Sequence, residues 1–217
     1  MNRLILTTLT LCWIGMLSVH AADAEAQMRT DFQKAFQTTD EKTRASIYST
    51  LNGAKEKATL DMLLRVARME KLPENRLAAF KALTSFEDTD TSVAMAASNL
   101  FTQEQDESNK AQFAENMTNM RFKFMPLQAL VGYYSTSSFM PPALGDASPK
   151  QVAFIEKHQT NMEKVHQSIV KLSGNSVVFD KSARTLVKKW WEQNQSTVMK
   201  ADQDLVKEMK AAAKAAK

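Results

Sequence analysis

The sequence predicts an all-α protein, a short α-solenoid of antiparallel helix pairs with a distinct C-terminal capping helix. Glycine and proline, which interrupt helices, account for only five residues each among 217. A segment at residues 43–51 recurs at residues 75–83, so that Arg44 aligns with Arg76, and each copy precedes a second amphipathic stretch. A repeat of about 32 residues that contains two helices is typical of an α-solenoid.

Residues 1–21 have the pattern of an export signal. A short basic start precedes an apolar run at residues 4–17, and Ala21 provides a small residue at the cleavage position. We expect cleavage after Ala21 or Ala22, which predicts a periplasmic or secreted protein; the alternative is a retained N-terminal anchor. Because the run is shorter than the roughly 20 residues of a spanning helix, we expect no stable membrane span after cleavage.

Composition excludes several classes of function. Cys12, the only cysteine, lies inside the signal, so the mature chain has neither disulfides nor thiolate metal ligands. The 28 basic and 24 acidic residues give a net charge of +4, too weak an excess to predict nucleic-acid binding. The sequence has no nucleophile motif, histidine-centred triad or glycine-rich phosphate loop. It therefore predicts a protein that is not an enzyme and has no cofactor.

Four amphipathic stretches follow the signal. Residues 24–38 carry apolar side chains at helical spacing, and Asp40 is placed to cap the next helix, which Gly53 ends. A third apolar stripe closes at Pro73, a residue suited to the first turn of the following helix. Because the connections are only a few residues long, successive helices are expected to pack as antiparallel neighbours.

The pattern of paired amphipathic helices continues, with less sequence similarity, through the middle of the chain. A helix capped by Asp88 or Asp90 precedes a third pair at residues 108–120 and 124–134. The pattern breaks at residues 135–149, a loop rich in serine and proline that is long for a compact domain. The sequence therefore supports two convincing repeat units and a weaker third.

A long helix and a closing unit complete the chain. Residues 151–172 keep a near-heptad apolar spacing, and Gly174 suits the left-handed conformation at a helix end. The final helix carries Trp190 and Trp191, about 100° apart, so that only one can face the core. The predicted domains are a signal peptide at 1–21, a helical-repeat domain at 22–198 and a Lys/Ala-rich helical tail at 199–217. That tail is expected to be a solvated, fraying helix.

Two features of the sequence resemble those of HEAT-repeat proteins, a family of helical-repeat scaffolds. The first is the pairing of helices at a spacing of about 32 residues. The second is Leu-Ser-Gly-Asn-Ser-Val-Val-Phe-Asp at 172–180 followed by Val-Lys-Lys-Trp-Trp-Glu-Gln-Asn at 187–194. It is similar to the closing unit of exported bacterial HEAT-repeat domain proteins, with Ser173 in place of a threonine and without the glycine after the aromatic. The resemblance implies a superhelical scaffold with no bound cofactor.

Recognition of a protein partner at the surface is therefore the first hypothesis for function. Affinity at such surfaces comes from a few buried anchors. The candidates are aromatic residues and a methionine near the long loop and in the closing unit: Tyr133, Tyr134, Phe139, Met140 and Trp191. The apolar side chains within residues 135–149 form either a docking patch or a lid folded onto the core.

A helical bundle that binds a metal or a small ligand is the alternative. Glu163 and His166 have the i, i+3 spacing used in carboxylate-bridged di-iron bundles, and His158 lies two turns earlier on the same helix. Such sites need a second pair on a facing helix, which the sequence lacks. We therefore predict no metal, and expect both histidines to face solvent or to cap a helix.

Overall fold

The computed structural model describes residues 23–86, 91–137, 147–174 and 182–215. These residues form helices joined by short connections, and none of them is in a strand. The prediction of an all-α protein is thus confirmed. The chain divides after Phe86 into two compact units. Several predicted features lie outside the described residues: the signal at 1–21, the caps Asp88 and Asp90, and the loop residues Phe139 and Met140.

The first unit is held together by contacts between successive and alternate helices. It contains α1 at residues 23–38, a 3-10 helix at Glu41–Leu51, α2 at Lys57–Met69 and α3 at Pro73–Thr84. Phe32 of α1 packs on Tyr48 of the 3-10 helix with ring centroids 5.5 Å apart, and Arg29 of α1 donates to Thr59 of α2 at 3.1 Å. Because α3 packs against both α2 and the 3-10 helix, the two copies of the recurring segment are in direct contact.

The second helix of this unit has 3-10 geometry over eleven residues, which is unusually long for that geometry. Asp40 caps its start, as the sequence predicts. Four hydroxyls donate to the carbonyl three residues earlier and compete with the bonding of an α-helix, those of Thr43, Ser46, Ser49 and Thr50. Gly53 then turns the chain with a φ of 77°, in the left-handed region that favours glycine.

The second unit contains five helices. They are α4 at Ser92–Gln103, α5 at Glu107–Met117, α6 at Phe124–Thr136, α7 at Pro149–Ser173 and α8 at Ala183–Ala215. Contacts join α4 to α6 and α6 to α8, and separately α5 to α7. Further contacts join α4 to α5 and α6 to α7. Each helix from α4 to α6 therefore packs on the helix two places further along the chain, and α4 and α6 also pack on their direct successors.

The predicted apolar stripes supply the cores of both units. Phe80 and Leu83 of α3 are fully buried, as are Phe101 of α4 and Met117 of α5. Side chains of this size contribute about 1.5–3 kcal/mol each when removed from water. Burial of these stripes is the main stabilisation of a domain that lacks disulfides.

The ends of α7 agree with the prediction from the sequence. Ser148 accepts a hydrogen bond from the backbone N–H of Gln151, whose side chain in turn accepts one from the backbone N–H of Ser148. This reciprocal capping box satisfies N–H groups that lack a partner within the helix. At the other end, Gly174 adopts a φ of 69° and ends α7.

The last helix is one continuous element of 33 residues and extends through the Lys/Ala-rich tail. Trp191 is buried beside Phe124 of α6, with ring centroids 5.6 Å apart, whereas Trp190 is half-buried. The prediction that only one tryptophan faces the core is therefore confirmed. The tail is not uniformly solvated, because Asp202 is buried and its carboxylate accepts hydrogen bonds from two backbone N–H groups at the start of α6.

Candidate functional site

A group of charged and aromatic side chains comes together from four helices of the second unit, α4 to α7. We name this group the Lys110 cluster, and it consists of Phe101, Glu107, Lys110, Tyr133 and His158. The ammonium of Lys110 lies 4.5 Å from the centroid of the Tyr133 ring and 5.7 Å from that of Phe101. These two rings meet edge to face at a centroid distance of 5.6 Å. The geometry is that of a cation held over two aromatic rings.

The start of α5 positions the charged members of the cluster. Asp106 caps the helix by accepting a hydrogen bond from the backbone N–H of Asn109 at 2.8 Å. Glu107 and Lys110 follow at a spacing of three, which places them on one side of the first turn. The local sequence therefore fixes a carboxylate and an ammonium side by side, facing the aromatic rings.

The side chain of Lys110 is half-buried. Burial lowers the pKa of its ammonium, while the carboxylates of Glu104 and Glu107 act in the opposite direction. Within the described ranges, neither acid forms an ion pair with it. Among the described residues, the two aromatic rings contact this ammonium and none accepts a hydrogen bond from its three N–H donors.

Tyr133 is the exposed aromatic member of the cluster. Its side chain is half-buried, and burial raises the pKa of its hydroxyl, although a hydrogen bond with the Ser137 side chain acts in the opposite direction. The charge of Glu107 adds a smaller increase. Phe101 beneath it is fully buried. The Tyr133 ring is therefore supported by a buried ring and remains partly exposed.

Glu107 also connects α5 to α7 through His158. The carboxylate oxygen Oε2 lies 3.1 Å from His158 Nδ1, and the histidine is only 5% exposed. His166 is 3% exposed, so the expectation that both histidines face solvent or cap a helix is wrong. The signal for burial was present in the sequence, because His158 falls on the near-heptad stripe four residues before the buried Met162.

The proposed metal ligands do not converge. His166 is buried against the Tyr134 ring at a centroid distance of 5.5 Å, whereas Glu163 is exposed and accepts a hydrogen bond from Gln167. Across the described ranges, no group of three histidine, cysteine or acidic side chains is arranged to hold a metal ion. Nothing in this geometry favours the metal-binding alternative.

The structure distributes the predicted partner-binding residues among different environments. Tyr133 is a half-exposed member of the Lys110 cluster, while Tyr134 and Trp191 are core residues that are 2% and 9% exposed. Phe139 and Met140 lie outside the described residues. Sequence reasoning therefore identified one member of the cluster, Tyr133, and missed Lys110, whose role depends on three other helices.

The first unit has a separate groove of about 470 Å³ between α1 and the 3-10 helix. Its floor is apolar and includes Met28, Phe32 and Ile47, and the only charged residue in its lining is Asp31. Asp31 accepts a hydrogen bond from Gln27 within the same helix. The groove lacks the convergent polar groups that mark a specific small-molecule site.

Comparisons with known proteins identify no relative from which a function could be inferred. No family model, no curated protein and no solved structure matches the chain. Among the helices of the described ranges, none combines the length and the apolar character needed to cross a bilayer.

Proposed function

We propose that this protein is a non-catalytic helical-repeat scaffold of the HEAT-like type, which works outside the cytoplasm and binds a protein partner through the Lys110 cluster. The half-exposed, supported ring of Tyr133 beside the ammonium of Lys110 is the observation that carries the proposal. Solvent-accessible aromatic and cationic side chains with fixed orientations are typical anchors of protein interfaces.

The repeat assignment is supported by two copies of one turn. Glu70 follows α2 and Glu104 follows α4, and each accepts a hydrogen bond from an asparagine five residues later in the next helix. Asn75 donates to Glu70 at 3.0 Å, and Asn109 donates to Glu104 at 3.3 Å. The two copies are 34 residues apart. A turn repeated at this period, together with contacts between alternate helices, favours stacked helix pairs over an irregular bundle.

The binding assignment is supported by the low cost of ordering the cluster. Tyr133 is already held by its edge-to-face contact with Phe101 and by the Lys110 ammonium. A partner that covers this ring therefore immobilises little additional side-chain freedom, which is a large part of the cost of association. The Lys110 ammonium can donate to a carbonyl or carboxylate of the partner at the same time.

Photo-crosslinking from the position of Tyr133 tests the proposal. We expect benzoylphenylalanine at this position, in the full chain expressed in its host, to give one discrete crosslinked species that excess unlabelled protein suppresses. The same probe at Met95, which is 49% exposed on α4 of the same unit, is the matched control and should not give this species. Lys110→Ala should weaken the Tyr133 crosslink. It should leave the helix content unchanged and change the free energy of unfolding by less than about 1 kcal/mol.

Two results would overturn the assignment. Equal crosslinking from Tyr133 and Met95 would show that the chain has no preferred face in this unit. A crosslink that persists unchanged in the Lys110→Ala variant would show that the cluster does not determine binding.

Export is a separate part of the proposal and rests on residues 1–21. We expect mass analysis of the protein recovered from the extracytoplasmic fraction to show a chain that begins at Ala22 or Asp23. Recovery of the intact chain from the cytoplasm would contradict export without bearing on the Lys110 cluster.

A further inference from the structure

We propose that α8 docks the protein onto an anionic lipid surface through four lysines, named here the lysine stripe: Lys189, Lys200, Lys210 and Lys214. This inference goes beyond the proposed partner site, because it concerns a different helix face and a different class of ligand. It depends on neither Lys110 nor Tyr133.

The four lysines share one face of α8. At about 100° per residue they fall within an arc of roughly 80°, and they span about 38 Å along the helix. All four are exposed. The opposite face carries the buried residues Val187, Trp191 and Asp202. The stripe therefore points away from the side on which α8 packs.

The stripe is only partly neutralised by its own helix. α8 contains seven basic and four acidic residues, while the whole chain has a net charge of +4. Asp202 lies on the opposite face and accepts hydrogen bonds from the start of α6. Asp204 lies 2.8 Å from Lys207, a fifth lysine within the arc, and also interacts with the charge of Lys200. Glu192 falls at the edge of the arc and lies 4.0 Å from Lys188. The fourth, Glu208, lies outside the arc. Considering the described residues alone, no stripe lysine has an ion-pair partner.

The rest of the unit holds α8 as a fixed support for these charges. Trp191 packs on Phe124, Asp202 binds the first backbone N–H groups of α6, and Arg121 contacts the sulfur of Met209 at 3.4 Å. These contacts are distributed along most of the helix length. The lysines are therefore presented in one row, and little order has to be gained when a surface neutralises them.

The chemistry of the row favours lipid headgroups over nucleic acid. Lysine ammonium groups act as point charges that suit phosphate at a membrane surface, whereas specific nucleic-acid sites rely heavily on arginine and on stacking aromatics. The only arginine of α8, Arg184, lies outside the arc. Leu186 and Met199, exposed by 47% and 40%, lie near the two margins of the stripe, where they can enter the headgroup region.

Vesicle flotation of the chain that begins at Ala22 provides the test. We expect binding to vesicles of phosphatidylglycerol and phosphatidylethanolamine, little binding to phosphatidylcholine vesicles, and release at high salt because the charges are screened. The variant Lys189→Gln/Lys200→Gln/Lys210→Gln/Lys214→Gln should bind the anionic vesicles roughly several hundredfold more weakly, since each of the four lysines contributes a factor of about five near such a surface.

A control with the same loss of charge distinguishes the stripe from net charge. The variant Lys34→Gln/Lys42→Gln/Lys71→Gln/Lys81→Gln removes four exposed lysines of the first unit and should keep most of the binding. Equal loss in the two variants, equal binding to neutral vesicles, or no binding to anionic vesicles would overturn the proposal. Tighter binding to duplex DNA than to anionic vesicles would overturn the assignment to lipid. Loss of the Tyr133 crosslink would leave this result untouched.

Discussion

The turn between α2 and α3 and the turn between α4 and α5 share one backbone plan but differ in what their glutamates bind. Glu70 is fully buried and accepts hydrogen bonds from the Tyr48 hydroxyl at 2.6 Å and from Arg44 at 3.4 Å. Glu104 instead accepts hydrogen bonds from the backbone N–H groups of Gln105 and Asp106, at 2.8 and 2.9 Å. One carboxylate therefore binds side chains of an earlier helix, whereas the other stabilises its own turn.

This difference shows that the two turns agree more closely in backbone geometry than in charge pairing. In the first copy of the recurring segment Tyr48 provides a hydroxyl for Glu70, while the aligned residue in the second copy is Phe80, which has none. Because both oxygens of Glu104 bind amide hydrogens, Lys110 lies over aromatic rings instead of pairing with this acid. The candidate site therefore lies beside the turn whose glutamate accepts hydrogen bonds from amide groups.

Removal of the Glu70 carboxylate should produce the largest effect on stability. Glu70→Ala leaves the Arg44 guanidinium and the Tyr48 hydroxyl without their acceptor in a buried site, so we expect a loss of about 3–5 kcal/mol in the free energy of unfolding. Urea unfolding followed by circular dichroism measures this change.

The matched variant is Glu104→Ala, which removes a cap that accepts hydrogen bonds mainly from backbone N–H groups. It should cost only about 1–2 kcal/mol. Equal losses in Glu70→Ala and Glu104→Ala would show that the two carboxylates have the same role and would remove the basis of the comparison.

The Tyr48 hydroxyl gives the next largest effect. Tyr48→Phe keeps the ring packed on Phe32 and removes only the hydrogen bond to Glu70, which should cost about 1.5–3 kcal/mol because the acceptor is charged. Tyr133→Phe is the control in the half-exposed cluster: it removes a hydrogen bond with the neutral Ser137 side chain and should change the free energy of unfolding by less than about 1 kcal/mol. A larger loss from Tyr133→Phe than from Tyr48→Phe would contradict the contrast.

The Tyr48 hydroxyl should also make the free energy of unfolding sensitive to alkaline pH. Burial, together with the hydrogen bond to Glu70 and its charge, raises the pKa of Tyr48 well above its ordinary range in the folded protein. Its stabilisation is therefore complete below the pKa of the unfolded chain, about 10, and is lost as the pH rises from there towards the raised native pKa. Tyr48→Phe should lose this part of the pH dependence, which unfolding at a series of alkaline pH values would detect.

How much the sequence predicted depends on how local each signal was. The apolar stripe of α3 and the caps by Asp40 and Gly174 depend on neighbours within a few residues, and the structure confirms them. The Glu70 contacts join residues 22 and 26 positions apart, and no periodicity reports such pairing. The Lys110 cluster depends in the same way on rings contributed by two further helices.

The tail provides a second contrast between the units, with a smaller expected effect. The start of α6 has no cap from its own N-cap side chain, and Asp202 supplies one from 78 residues away in the sequence. Asp202→Ala should cost about 1 kcal/mol in the free energy of unfolding. Asp204→Ala, which removes an exposed acid two residues away, is the control and should have almost no effect. No loss in Asp202→Ala would show that the tail is not held by this contact.

The smallest expected effect is the acid sensitivity of the corresponding cap in the first unit. Glu25 accepts hydrogen bonds from Thr59 at 2.7 Å and from the backbone N–H of Glu56 at 2.8 Å, at the start of α2. Partial burial alone would raise the pKa of this carboxyl, but the hydrogen bonds outweigh that effect and lower it. Its contribution is therefore present above the unfolded pKa of about 4.3 and is lost as the pH falls through the lower native value. The difference in unfolding midpoint between the native chain and Glu25→Gln should shrink over that range, and a difference independent of pH would show that the charge of Glu25 does not stabilise α2.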